Sequence, residues 1–185
     1  MKKLLCASLI LVAFFVCKKN DDNNPPVKDV IDLLPVDNEI SGWTKSSALQ
    51  IAENATQLFD LIDGEGQPYV DDGFVKYAIQ KYSGDISGTP VTLKLRIADM
   101  VDTANACKIY NDVATGTEVA WTDQAPGVEA RIDAVPGYYY RIDFWDDKFH
   151  VWVEINDGTD PSLNIAKLFA LNISQAIRDT TSASP

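Results

Sequence analysis

Between residues 91 and 97 the chain reads Val91-Thr92-Leu93-Lys94-Leu95-Arg96-Ile97, with apolar and polar side chains in strict alternation. Successive side chains of a strand point to opposite faces, so this run requires a sheet with one buried face and a second face carrying Thr92, Lys94 and Arg96. A helix would scatter the same residues around its axis. Phe74 to Tyr82 has the same period, and the Gly-, Ser- and Asp-rich stretch Ser83 to Pro90 joins the two as a hairpin. Three more strands are expected near 128–134, 138–145 and 149–155.

Helical spacing appears elsewhere. Ala48, Ile51, Ala52, Ala55, Leu58, Phe59 and Ile62 recur at three and four and predict one helix over 47–62, ended by Gly64 and Gly66. Asn54-Ala55-Thr56 is also a good N-cap opening, in which case the first half is a short strand. Asp102 caps a helix to about Ala114, with Ala106, Ile109, Tyr110 and Val113 inward, and a long loop from Thr115 to Gly127 carries Trp121. Asp160 as N-cap and Pro161 at the first helical position open a last helix to about Arg178. Strands and helices come in blocks, which favours an α+β fold. It is expected to be an antiparallel sheet of about five to six strands with helices packed on it.

The chain begins with Lys2 and Lys3 and then an apolar stretch from Leu4 to Val16, shorter than the roughly 20 residues that span a bilayer. That is the pattern of an export signal. Cys17 stands where a bacterial lipoprotein signal ends, although Val16 occupies a position that usually holds a small residue. Two outcomes stay open, lipidation at Cys17 or an uncleaved N-terminal anchor. The polar run Lys18 to Pro26 suits a tether. The expected organisation is a lipoprotein-type signal peptide at 1–17, a linker at 18–29, a single domain at 30–179 and a frayed tail at 180–185. The expected location is the bacterial cell envelope, lipid-anchored and facing the periplasm or the exterior.

The formal net charge is −11, and the part beyond the signal is more acidic still, because Lys2 and Lys3 fall within the signal. With no basic stripe after Lys18 and Lys19, nucleic acid is excluded as an expected partner. Cys107 is the one cysteine left in the domain, so the core rather than a disulfide must hold the fold. The sequence lacks Cys-x-x-Cys, His-Glu-x-x-His, a Walker loop and Gly-x-Ser-x-Gly, and its single histidine cannot build a histidine-rich metal site. Two acidic groups, Asp60 to Asp72 and Asn156 to Asp160, do not have EF-hand spacing and are read as solvated turns and helix caps. No metal and no cofactor is expected.

The last hairpin carries the candidate site. With Asp146-Asp147 as its turn, Trp145 lies opposite Lys148, Asp143 opposite His150, Arg141 opposite Trp152 and Tyr139 opposite Glu154. Phe144, Ile142 and Tyr140, with their partners Phe149, Val151 and Val153, form the core face. The other face mixes aromatics with Arg141, Asp143, His150 and Glu154. It is either covered by a helix or loop, or it is an exposed binding strip of Tyr139, Arg141, Trp145 and Trp152.

The run Asp60-Leu61-Ile62-Asp63-Gly64-Glu65-Gly66-Gln67-Pro68-Tyr69-Val70-Asp71-Asp72-Gly73-Phe74 resembles a motif of a family of uncharacterised bacterial secreted and lipoprotein domains, catalogued as domain of unknown function 6599. Gly42-Trp43, Ile97-Ala98-Asp99-Met100 and Gly137-Tyr138-Tyr139 extend the likeness over most of residues 33–178. Glu65 departs from the small residue expected after Gly64. The resemblance implies an extended Ala48 to Glu53, a helix starting at Asn54 and a PsbP-like architecture, and it implies no activity.

Two functions follow as expectations. The leading one is a membrane-tethered, non-enzymatic binding or accessory lipoprotein whose strip contacts an unknown protein or small-molecule ligand. The competing one is a hydrolase or transferase with Cys107 as nucleophile and His150, oriented by Asp143, as base.

Overall fold

In the computed structural model, residues 28–135 and 137–179 are described; the expectations for the signal, most of the linker, Cys17 and the tail lie outside them. The strands are β1 (Thr44–Lys45), β2 (Gln50–Ala52), β3 (Lys76–Ile86), β4 (Thr89–Asp99), β5 (Val119–Ala120), β6 (Glu129–Val135), β7 (Tyr139–Asp146) and β8 (Phe149–Ile155). The helices are α1 (Ala55–Ile62), α2 (Gln67–Asp71), α3 (Thr103–Asp112) and α4 (Asp160–Arg178), with a 3-10 turn at Asp63–Gly66 between the first two. The fold is α+β. Among the described residues the antiparallel sheet has eight strands in the order β1-β3-β4-β8-β7-β6-β5, with β2 also on β3. The count exceeds the five to six expected because β1, β2 and β5 are two or three residues long, too short to show a period.

Alternation along β4 divides the sheet as its sequence demands. Leu93, Leu95 and Ile97 are wholly buried on one face, with Ile142, Phe144, Val151 and Val153 from β7 and β8. Helix α4 lies over them through Ala166, Phe169, Ala170, Ile173 and Ile177, and Val30, Leu33, Leu34 and Trp43 complete that core. On the opposite face Leu58, Tyr69, Ala106, Ile109 and Tyr110 from α1 to α3 pack over Tyr77, Ala98 and Trp145.

Several boundaries differ from expectation, and at the last helix Thr159 is the N-cap, with Asp160 the first helical residue. The β3/β4 turn is the two residues Ser87 and Gly88, both at positive φ, so most of Ser83 to Pro90 is strand. That primed turn matches the twist of paired strands, and Pro90 is tolerated because β8 pairs β4 only from Leu93 onward. Helix α1 starts at Ala55, where the Asn54 side chain accepts from the Gln57 N–H at 3.0 Å, and Gln50–Ala52 is a strand. The long 47–62 helix is therefore not formed. The helix ends with Asp63, not a glycine, at φ 49°, and Gly64 and Gly66 continue into the 3-10 turn.

Trp43 stacks edge-on against Phe169 with ring centroids 5.6 Å apart, and its other neighbour is Gly84 of β3. A Cβ at Gly84 would lie 2.5 Å from the indole, too close for any side chain. Gly84→Ala should destabilise the domain by about 1–3 kcal/mol through overpacking, read as a lower urea midpoint.

Candidate functional site

The last hairpin turns at Asp147-Lys148, with Asp146 opposite Phe149, so every partner is displaced from the expected pairing by two residues. A two-residue displacement preserves faces and changes neighbours. Trp145 is opposite His150, Asp143 opposite Trp152, and Arg141 opposite Glu154. Asp143 and His150 nonetheless meet diagonally across the strands, His150 Nε2 donating to Asp143 Oδ1 at 2.6 Å.

That contact belongs to a buried polar chain. The Tyr69 hydroxyl of α2 lies 3.1 Å from His150 Nδ1, and burial pushes its pKa well above 10. Arg131 of β6 donates through Nε to the second Asp143 oxygen at 2.9 Å and through a terminal nitrogen to the Tyr110 carbonyl of α3 at 2.5 Å. Its guanidinium carbon stands 4.1 Å from the Tyr110 ring centroid. Glu118, from the loop after α3, closes on Arg131 at 3.8 Å. Burial opposes ionisation of Glu118. The Thr115 N–H at 2.7 Å, the backbone N–H of Glu118 itself, the Thr115 hydroxyl and the Arg131 charge nevertheless hold its pKa down to about 2.

Both nitrogens of His150 are thus engaged, and the residue is 1% exposed. Asp143 and His150 come together as expected, but no imidazole nitrogen is left for Cys107, whose neighbour on α3 is Asn111. The acidic groups are also spoken for in part: Glu65 pairs with Arg96, Asp72 with Lys108, and Asp157 accepts from Thr159 and Ser162. Among the described residues no three His, Cys, Asp or Glu side chains converge on a common point.

The expected strip splits. Trp145 is buried at 8% exposure beneath α3, packed with Ala106, Ile109 and Tyr110, and it leaves the list of contact residues. Tyr139, Arg141 and Trp152 are half-buried on the part of the face beyond the helices. There Trp152 is flanked from β4 by Arg96, with its guanidinium carbon 4.6 Å from the ring centroid, and from β7 by Arg141 at 4.5 Å. Arg96 reaches Glu65 at 2.7 Å and Arg141 reaches Asp133 at 2.8 Å. Next to this row a shallow cavity of about 180 Å³ is lined by Lys81, Thr92, Lys94, Glu154 and Asn156. Arg96, Lys94 and Lys81 escaped the sequence reading because they lie on β3 and β4, and only the sheet order β3-β4-β8-β7 brings them beside Trp152. The alternation that put Lys94 and Arg96 on the polar face of β4 was the available signal.

A second groove, of about 430 Å³, lies between Tyr110, Trp121, Ala125 and Val128 on the far side of β6. In comparisons with known proteins, no family model, no curated protein and no solved structure matches the chain.

Arg131→Leu should cost about 3–5 kcal/mol in chemical denaturation, because it leaves the Asp143 carboxylate buried and unpaired. The Glu118 carboxylate has a folded pKa below its ordinary 4.5, so its stabilisation is complete above that value and is lost as pH falls through about 2. Over that window the denaturation midpoint of the wild type should fall more steeply than that of Glu118→Gln.

Proposed function

We propose that this chain is an exported, membrane-tethered binding or accessory domain without enzymatic activity. Its contact surface is the half-face around Tyr139, Arg141 and Trp152. The observation that carries this reading is a half-buried indole held between two guanidinium groups on a part of the sheet beyond the described helices. Aromatic and arginine side chains presented together are the residue types that dominate binding energy at contact surfaces. The histidine, by contrast, is sealed inside the core with both nitrogens occupied, which argues against acid-base work on a substrate. The resemblance to the lipoprotein domain family and to a PsbP-like architecture supports the same reading by analogy.

Tethering is proposed through acylated Cys17 in the bacterial envelope. Labelled fatty acid should enter the wild type, whereas Cys17→Ser should accumulate as unlabelled precursor. Full-length, unlabelled, membrane-bound protein in both would replace the lipid anchor with an uncleaved helix. For the contact surface, hydrogen exchange of the detergent-solubilised full chain should be read with and without an envelope extract. Protection on β4, β7 and β8 that disappears in Trp152→Ala supports the half-face. Protection confined to the groove between Tyr110 and Trp121 overturns it.

A further inference from the structure

Taking that half-face as the contact surface, we propose that it receives an acidic segment of a partner protein, with carboxylate side chains two residues apart, and that Glu65 occupies the principal carboxylate position in its absence. The half-face is part of a sheet surface and the cavity beside it is only about 180 Å³, whereas a free small molecule needs a concavity that buries most of its surface. An extended peptide suits such a surface.

Lys94 and Arg96 stand two apart on β4 and point to the same side, as do alternate side chains of any extended chain, with a repeat of about 7 Å in both cases. Arg141 and Lys81 widen the row on either flank. Each paired cation in the row already holds a carboxylate of this chain: Arg96 has Glu65, Lys94 has Glu154 at 2.9 Å and Arg141 has Asp133. Three cations of the row are thus carboxylate sites.

Glu65 is the replaceable member. Its side chain is 61% exposed while that of Arg96 is 11% exposed, so the carboxylate lies on the solvent side of the guanidinium. Asp133 is 9% exposed and Glu154 is 30% exposed; both are fixed on strands. Glu65 instead sits on the short 3-10 turn, whose first residue, Asp63, holds the left-handed φ of 49° without being glycine. It engages Arg96 through a single terminal nitrogen, at 2.7 Å. An incoming carboxylate that takes this nitrogen makes the same charge-assisted bond that Glu65 now makes.

The experiment titrates the ¹⁵N-labelled full chain in detergent with the peptide acetyl-Glu-Ser-Glu-Ser-Glu-amide, following the Trp152 indole N–H resonance assigned with Trp152→Phe. A saturable shift is expected, tightened at least about three-fold by Glu65→Gln and weakened at least about five-fold by Lys94→Ala. The peptide with Gln in place of every Glu should leave the resonance unmoved. No saturable shift in either the wild type or Glu65→Gln overturns the proposal, as does equal affinity in the two or a stronger response to a short single-stranded oligonucleotide. If the peptide fails while the envelope extract still protects β4, β7 and β8, the acidic partner is wrong and the contact surface stands.

Discussion

The contact between Arg131 and Asp143 holds the molecule in register across its layers. Asp143 is 6% exposed, and in so dry a place a carboxylate survives only with its lone pairs filled and its charge answered. Arg131 answers the charge from β6 and His150 fills the other oxygen from β8, so the three strands are tied across their polar faces as well as through their ladders. The same two residues reach outward, His150 to Tyr69 of α2 and Arg131 to the Tyr110 carbonyl of α3. A helix displaced by even one turn would orphan a buried polar group. The network therefore decides where α2 and α3 sit, beyond what the non-directional packing of Ile109 or Leu58 could specify.

That placement creates the candidate site. With α3 fixed over the hairpin end of β7 and β8, Trp145 is enclosed. Trp152, on the neighbouring strand and one diagonal further from the helices, is not. The opposite face has no such boundary, since the nineteen-residue α4 and the segment from Val30 to Trp43 cover it together. Ser174 and Arg178 of α4 anchor on Asp146 at the hairpin end, each at 2.9 Å. One face is thus spent wholly on stability and the other is divided between core and the proposed contact surface.

How much of this could be read from the sequence follows from the length scale of each signal. The period of two in Val91 to Ile97 and in the last hairpin assigned every side chain there to its correct face, and it did so despite the wrong turn residues, because a slip of two leaves faces unchanged. Partners were not protected in the same way. Asp146-Asp147 and Asp147-Lys148 are equally polar turns, and Asp147 at φ 51° settles the choice only in three dimensions. The spacing from Ala48 to Ile62 predicted too long a helix because Ile51 and Ala52 alternate within a three-residue strand that fits either period, and the Asn54 cap was the better guide. Trp145 and Trp152 have identical local patterns. Their different fates depend on α3, some forty residues earlier in the chain, and no local pattern contains that information.

The distribution of charge completes the physical picture. In so acidic a chain, long-range attraction cannot bring an acidic partner close; at physiological salt, however, charges further apart than about 8 Å are largely screened, so the local row of Lys81, Lys94, Arg96 and Arg141 governs what can dock. The internal carboxylates beside that row keep it nearly neutral when vacant, which suppresses indiscriminate uptake of anions. Glu154 and Asp133 provide this from rigid strands, and Glu65 provides it from a turn that starts at a left-handed aspartate. On the reading proposed above, a partner must offer carboxylates at the right spacing, since one charge exchanged for Glu65 only replaces the bond that Glu65 already makes. Selectivity in such a surface comes from geometry under a small net charge, and the excess negative charge of the rest of the domain raises the threshold that a weakly matched anion would have to overcome.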